Sequence, residues 1–170
     1  MKTKRIPPLL ALACLLALPG CTSYRLGSML PPNLSSVYVK TFVNETGEPQ
    51  LEFQTTSATV REFQQDGTLR VAEQDTADAV LDTKLTGYKV TPVRYSKTSL
   101  TTGREYRLLL TAEAVLKDVK SGKVIATVTA AQGETTFFVT ADLKSDERTA
   151  VPAAAQDLAH HIVRNLVEYW

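Results

Sequence analysis

The segment from Arg104 to Val119 constrains the fold most strongly, because apolar and polar residues alternate along its length. A period of two is typical of a β-strand with one buried face and one face in water. We expect the buried face to carry Tyr106, Leu108, Leu110, Ala112, Ala114 and Leu116, and the wet face Arg107, Thr111, Glu113 and Lys117. The sequence therefore predicts a sheet that is solvated on one side only.

Two further strand-length segments flank this strand. Residues Ala79 to Thr91 form the first, and its buried parity changes at Gly87, which indicates a β-bulge. The turn from Lys120 to Lys123 leads into the second, which places Val124, Ala126, Val128 and Ala130 on one face. Since no helical pattern separates the three strands, we expect them to be antiparallel neighbours.

The preceding part of the chain predicts a strand from Val37 to Val43, a helix from Pro49 to Asp66 and a short strand from Thr68 to Ala72. Proline suits a first helical position and Gly67 supplies a stop. The apolar face of this helix is predicted to carry Phe53, Ser57, Val60 and Phe63. A strand, a helix and a strand in this order predict a crossover between parallel strands.

The C-terminal segment predicts a second amphipathic helix, with Pro152 in its first turn. Its apolar face carries Ala155, Leu158, Ile162, Leu166 and Tyr169, flanked by Val151, Val163 and Val167. The predicted fold class is therefore α+β, a two-layer sandwich in which two helices pack on one face of a mixed, mainly antiparallel sheet of four to five strands.

The N-terminal end predicts export from the cytoplasm. Basic residues within the first five positions precede an apolar stretch from Leu9 to Leu18, which is shorter than the roughly 20 residues of a membrane-spanning helix. This order is typical of a secretory signal peptide. Leu18-Pro19-Gly20-Cys21 then resembles a bacterial lipobox, in which the cysteine thiol is acylated, and the only other cysteine, Cys14, lies within the segment to be cleaved.

We accordingly expect a signal peptide at residues 1–20, a lipidated N-terminus and tether at 21–36, and a single α+β domain at 37–170. By resemblance to bacterial lipoproteins, Thr22 directly after Cys21 implies sorting to the outer membrane. Several acyl chains make a stable anchor where one chain does not. With its remaining cysteine acylated, the mature chain forms no disulfide, and its stability depends on the hydrophobic core.

Charge excludes one class of partner. The chain has 19 basic and 18 acidic residues, and three of the basic residues lie within the predicted signal peptide. The mature chain is therefore mildly acidic, and it lacks the basic excess that a nucleic-acid-binding protein needs. With 44% hydrophobic and 22% charged residues, its composition is that of a globular domain.

Residues with catalytic or metal-binding chemistry are few. His160 and His161 are adjacent on the last helix, and adjacent side chains do not converge on one ligand. Asp146 and Glu147 are predicted to lie just before that helix, beside Ser145, where carboxylates stabilise the helix dipole and capping is favoured over acid–base catalysis. No HExxH, GxSxG or phosphate-binding glycine loop occurs. The sequence predicts a non-enzymatic protein without a cofactor or metal.

The turn between the first two long strands is rich in cations, and so are the strand ends beside it. The candidates for binding an anionic ligand are Lys89, Arg94, Lys97, Arg104 and Arg107. Arg can bind phosphate through two hydrogen bonds, as in the headgroup of an anionic lipid. A hairpin tip that is merely solvated is the alternative interpretation. The consecutive aromatic residues Phe137 and Phe138 allow two interpretations, burial in the core at a sheet edge or contact with a partner. Burial in the core is favoured.

The order of these features resembles a known family. In chain order they are the lipobox Leu18-Pro19-Gly20-Cys21, then Tyr24-Arg25-Leu26-Gly27, Val37-Tyr38-Val39 with Phe42, Asn44-Glu45-Thr46, and a closing helix from Leu158-Ala159 to Glu168 followed by Trp170. Together they resemble the lipopolysaccharide-assembly lipoproteins, LptE, over essentially the whole mature chain.

That resemblance implies an outer-membrane lipoprotein that sits as a plug inside the large β-barrel LptD, with which it inserts lipopolysaccharide into the outer leaflet. The family is also described as binding lipopolysaccharide, for which the five cations named above are the candidates. A second resemblance covers only Val37 to Val71, which looks like the N-terminal domain of TolB and like curli-secretion and peptidoglycan-synthase-activating lipoproteins. This alternative implies a periplasmic adaptor or a secretion-pore subunit anchored to the outer membrane.

Overall fold

The part of the chain that the structure describes forms a layer of two helices on one face of a six-stranded sheet. A computed structural model describes residues 30–31, 33–95, 103–140 and 142–168. The elements are β1 (Ser36–Val39), β2 (Val43–Asn44), α1 (Leu51–Asp66), β3 (Arg70–Val71), β4 (Ala79–Tyr95), β5 (Gly103–Asp118), β6 (Val124–Phe138) and α2 (Leu143–Val167). The predicted α+β fold class is confirmed.

The strand order is β3-β1-β4-β5-β6, and the short β2 also pairs with β4. β1 runs parallel to both β3 and β4, which confirms the predicted crossover, whereas β4, β5 and β6 are antiparallel. The single strand predicted from Val37 to Val43 is wrong. It is divided because Phe42 is buried and its backbone N–H donates to Thr56 Oγ1 of α1 at 3.0 Å, outside the strand ladder. This division gives six strands where the sequence predicted four to five.

The predicted bulge in β4 is confirmed. Leu85 pairs with Ala112 and Gly87 pairs with Thr111, so Thr86 is the extra residue. A Cβ atom at Gly87 would lie 3.1 Å from Thr111 Cβ, which explains why a glycine stands at this close approach. The bulge lets Leu85 and Tyr88 both contact the core, although they have opposite parity in the sequence.

The apolar face predicted for α1 is wrong at Phe53, which is 67% exposed. The buried residues are instead Leu51, Thr55, Ala58, Thr59 and Phe63. Two threonines are tolerated in the core because Thr55 Oγ1 donates to the carbonyl of Leu51 at 2.8 Å, and Thr59 Oγ1 donates to that of Thr55 at 2.9 Å. Each hydroxyl thus finds its partner one turn earlier in the same helix.

The second helix begins about two turns earlier than predicted. Asp142 caps it by accepting a hydrogen bond from the backbone N–H of Ser145 at 2.8 Å, so Pro152 lies inside the helix instead of in its first turn. The predicted apolar face is confirmed at Ala155, Leu158, Ile162 and Leu166, all of which are buried. Tyr169 lies outside the described residues.

The last strand is longer than predicted and contains a second bulge. Ala112 pairs with Ala131 and Ala114 with Val128, so two residues of β6, Thr129 and Ala130, stand opposite the single residue Glu113. As a result Ala131, not Ala130, contacts the core, and Val124 at the strand start is 57% exposed. The four residues predicted to share one face are therefore divided, because Ala126 and Val128 are buried whereas Val124 and Ala130 are exposed.

Candidate functional site

The face of the sheet opposite the helices is open, and its outward side chains form ion pairs across the strands. We call this surface, which comprises the outward residues of β4, β5 and β6, the open face. Its ion pairs include Lys117–Asp82 at 2.8 Å, Lys84–Glu45 at 3.4 Å, Arg94–Glu105 at 3.5 Å and Arg107–Glu134 at 3.7 Å. Charges of both signs are interspersed over it, so the open face is polar without being strongly basic or acidic.

Asp82 is the best-organised charge on the open face. Its carboxylate lies 2.7 Å from Nζ of Lys40, the residue directly after β1, and 2.8 Å from Nζ of Lys117 in β5. Partial burial alone would raise the pKa of Asp82, but the hydrogen bonds from Lys117 and Lys40 together hold that pKa below its usual value. The carboxylate therefore stays charged at neutral pH and ties three strands together.

Three of the five predicted ligand-binding cations lie in the described part of the chain with their side chains. Lys89, Arg94 and Arg107 all belong to the open face, near the turn between β4 and β5. Arg107 is paired with Glu134, and Arg94, which is largely exposed, is paired with Glu105. Lys97 and the side chain of Arg104 lie outside the described residues. The structure thus brings three cations to one surface, two of them beside a carboxylate.

The two consecutive phenylalanines point to opposite faces of β6. Phe137 is buried and stacks on Tyr106 with ring centroids 5.8 Å apart, as the core interpretation predicts. Phe138 is 62% exposed on the open face, opposite Glu105. The core prediction is therefore confirmed for the first aromatic residue and wrong for the second, because successive strand residues alternate sides.

The carboxylates predicted to precede the second helix lie within it instead. Asp146, in the first turn, accepts a hydrogen bond from the backbone N–H of Thr140 at 2.7 Å, which is a capping role. Glu147 is buried, accepts a hydrogen bond from Tyr88 Oη at 2.5 Å and lies 3.2 Å from Lys144 Nζ. Burial and the nearby carboxylate of Glu147 raise the pKa of Tyr88, so its hydroxyl remains a donor. Glu147 thus joins α2 to β4.

The adjacent histidines contact different carboxylates. His160 Nδ1 lies 2.8 Å from Glu62 of α1, whereas His161 Nε2 lies 3.8 Å from Asp157 in its own helix. Among the residues that the structure describes, no group of three His, Cys, Asp or Glu side chains could hold a metal ion. Within the same residues, neither helix has the length and apolar character needed to cross a bilayer.

Comparison with solved structures identifies a fold shared by bacterial proteins, among them a candidate lipoprotein. A hypothetical protein from Chlamydia trachomatis superposes with a TM-score of 0.52 and 10% identity, over 78% of this chain and 95% of that one. A protein from Xanthomonas campestris gives 0.51 and 11%, over 81% and 89% of the two chains. The candidate lipoprotein, from Caulobacter crescentus CB15, gives 0.50 and 12%, over 74% and 87%.

The sequence matches the family model described as LptE, lipopolysaccharide-assembly, over residues 34–166. The chain therefore belongs to the LptE family, a family of non-enzymatic, membrane-associated lipoproteins that act in lipopolysaccharide assembly. This confirms the first of the two resemblances seen in the sequence. No curated protein sequence matches the chain significantly.

Proposed function

We propose that this chain is an outer-membrane lipoprotein, acylated at Cys21, that sits as a plug inside an LptD-type β-barrel. In that position it takes part in transport of lipopolysaccharide to the outer leaflet. The observation that carries the proposal is membership of the LptE family across residues 34–166, which include both helices and all six strands except the last residue of α2.

The open face supports this role. The interior of a large outer-membrane barrel is polar, so a plug needs a surface that remains stable against polar walls. The open face meets much of this need because several of its charges are already paired within the chain, as Asp82 is with Lys40 and Lys117. Such a surface can lie against a polar wall without leaving an unpaired charge buried.

The test is affinity purification of the tagged, lipidated chain from detergent-solubilised outer membranes, with mass spectrometry of its partners. We expect a large β-barrel in near-equal amount. The matched variant Cys21→Ala lacks the acylated thiol, and we expect it to be lost from the membrane fraction. Recovery of that variant in the membrane without a partner would contradict anchoring through Cys21.

The adaptor alternative makes a different prediction in the same experiment. Peptidoglycan synthases or secretion-pore subunits would copurify in place of the barrel. That result, or the absence of a stable partner, would contradict the proposal that the chain is a barrel plug.

We further propose that the five cations named above, Lys89, Arg94, Lys97, Arg104 and Arg107, bind the phosphates of lipopolysaccharide. Lys89, Arg94 and Arg107 are neighbours on the open face, and Arg94 is 79% exposed. An anionic phosphate can compete with Glu105 for the exposed Arg94 and with Glu134 for Arg107, because surface ion pairs contribute only ~0–1 kcal/mol.

Reversing charge at Arg94→Glu with Lys97→Glu tests this site. We expect weaker binding to purified lipopolysaccharide at low salt, because phosphate contacts depend on opposite charge. The control is Lys120→Glu with Lys123→Glu, which makes the same change in net charge in the β5–β6 turn, at the other end of the sheet. Equal binding by the two variants would exclude the site.

A further inference from the structure

The free edge of β6 is a long, regular backbone surface at one end of the sheet. Among the residues that the structure describes, β6 pairs with β5 alone, whereas the two-residue β3 forms the opposite edge of the sheet. From Ala131 to Phe138 its register with β5 is uninterrupted. An unpaired strand edge presents alternate N–H and C=O groups that another strand can pair with.

The hydrogen bond of Glu134 shows which of these groups point outward. Its backbone N–H donates to Asp157 Oδ2 of α2 at 2.8 Å, away from β5. In an antiparallel ladder, residues of the same parity share this orientation, so the N–H groups of Gln132, Thr136 and Phe138 also point outward. In the described part of the chain these three N–H groups have no hydrogen-bond partner.

A groove of about 670 Å³ runs along this edge. One wall is β6 from Ala130 to Glu134, and the other is a stripe on α2 formed by Asp157, His161 and Asn165. These three residues are four apart and so lie on one side of the helix. A groove between an edge strand and a helix is the geometry in which an extended segment can add to a sheet through its backbone.

We propose that β6 accepts an extended strand of a partner polypeptide in the groove between β6 and α2. The Glu134 N–H already donates to Asp157 Oδ2, so at this one position a carbonyl of the partner strand replaces the Asp157 carboxylate as acceptor. The inference concerns the backbone edge and does not depend on the barrel proposal.

The charges of the groove disfavour a second copy of this chain as the occupant. Antiparallel self-pairing about a two-fold axis at the groove would bring Glu134 and Asp157 of both copies together, and like charges facing each other destabilise strand pairing. Arg107 lies 3.7 Å from Glu134 and His161 lies 3.8 Å from Asp157. Because a carboxylate can accept from more than one donor, we assign the occupant a basic residue at that point. Phe138 lies four residues after Glu134 on the same face and is exposed. We therefore expect the occupant to carry an apolar residue four positions from the basic one, where it can contact Phe138.

Hydrogen exchange resolved to single amides tests the proposal on the full lipidated chain. One sample is extracted from native membranes in mild detergent with whatever protein copurifies, and the other is the same chain overproduced alone. We expect the outward amides of Gln132 and Thr136 to exchange at least about tenfold more slowly in the first sample. The inward amides of Thr135 and Phe137, which face β5, serve as controls and should be protected in both. Equal exchange of the outward amides in the two samples overturns the proposal.

The variant Thr136→Pro separates a backbone contact from a side-chain contact. Proline removes the outward donor and is tolerated in an edge strand where the N–H faces away from the sheet. We expect loss of the copurifying protein at an unchanged Tm, with full retention in the control Thr136→Val. A folded Thr136→Pro chain that keeps its partner overturns the proposal, and if that variant does not fold, the exchange experiment on the unmodified chain decides.

These outcomes can be told apart from those of the barrel experiment. A copurifying barrel that leaves the outward amides unprotected overturns this inference and supports the plug proposal. Protection by a protein that is not a barrel supports this inference and removes the plug proposal.

Discussion

At the scale of single residues, Gly133 determines how closely α2 approaches β6. A Cβ atom at this position would lie 2.2 Å from the backbone N of Leu158 and 2.5 Å from the carbonyl oxygen of Ala154. Both are backbone atoms within a helix, so neither can move aside like the end of a side chain. The close approach is what places Asp157 within reach of the Glu134 N–H.

Gly133→Ala should therefore destabilise the protein by about 1–3 kcal/mol or more, because the methyl group forces the helix away from the strand. The measurement is urea unfolding followed by circular dichroism. Gln132→Ala, which changes the neighbouring exposed residue, is the control and should have little effect. Equal stability of the two variants would show that the packing at Gly133 is not close.

Asp78 makes stability depend on pH in the acid range. Hydrogen bonds from the side chains of Ser35 and Ser36, at 2.8 Å each, and from the backbone of Ser35 hold the pKa of Asp78 below its usual value. A carboxyl whose pKa is lower in the folded state stabilises the fold above its unfolded pKa. This contribution is lost as the pH falls through the folded pKa.

Asp78→Asn should lower Tm at pH 7, and the difference from the unmodified chain should shrink as the pH falls from about 5 towards 2. Thermal unfolding across this range measures it. Asp75→Asn, an exposed position without a hydrogen bond to the side chain among the described residues, is the control. A difference in Tm that stays constant with pH would mean that the ionised form of Asp78 does not stabilise the fold.

At the scale of elements, the alternation of β5 gives the sharpest test of the fold. Leu110 is fully buried, whereas Thr111 points to the open face. Leu110→Asp should destabilise the protein by several kcal/mol, because it places an unpaired charge in the core. Thr111→Asp should be mild. Unfolding by denaturant compares them, and similar losses would contradict the assigned parity of the strand.

Regular periodicity allowed β5 and the apolar face of α2 to be predicted, because each buries one side along its whole length. Elements that depend on tertiary contacts were predicted less well. The break after Val39 arises from a hydrogen bond between Phe42 and Thr56, which are distant in sequence. The face of α1 was missed because Thr55 and Thr59 are buried with their hydroxyls satisfied inside the helix, which apolar spacing does not reveal.

The candidate site, too, could be predicted from the sequence only in part. The turn between β4 and β5 and the cations on the adjoining strand ends could be found from composition and turn position alone. Their pairing with Glu105 and Glu134 could not, since it depends on the cross-strand register. Gly133 and the Asp157 contact could not be predicted either, because a single glycine in a strand does not identify its helix neighbour. Pro152 misled the prediction of the helix start, and the signal that could have corrected it was Asp142 followed by Ser145.

At the scale of the whole molecule, α2 contacts the sheet and α1 alike, so both halves of the chain share one core. Leu158, Ile162 and Leu166 of α2 are fully buried in it, as are Leu51 and Phe63 of α1. We expect a single cooperative transition in urea, coincident when followed by circular dichroism and by tyrosine fluorescence. Two separated transitions would mean that the β1–α1–β3 unit folds independently, contrary to a single domain at 37–170.

The parallel pairing of β1 with the start of β4 gives the molecule a polarity. Val37 is opposite Ala79, so the chain enters the sheet at the end farthest from the β4–β5 turn. β4 has 17 residues, which at ~3.3 Å each correspond to a reach of up to about 55 Å. A domain held by acyl chains near its entry would therefore project that turn farther than the ~30 Å thickness of a hydrocarbon core. The long strands would then set the distance between the membrane anchor and the point at which the β4–β5 turn contacts a partner.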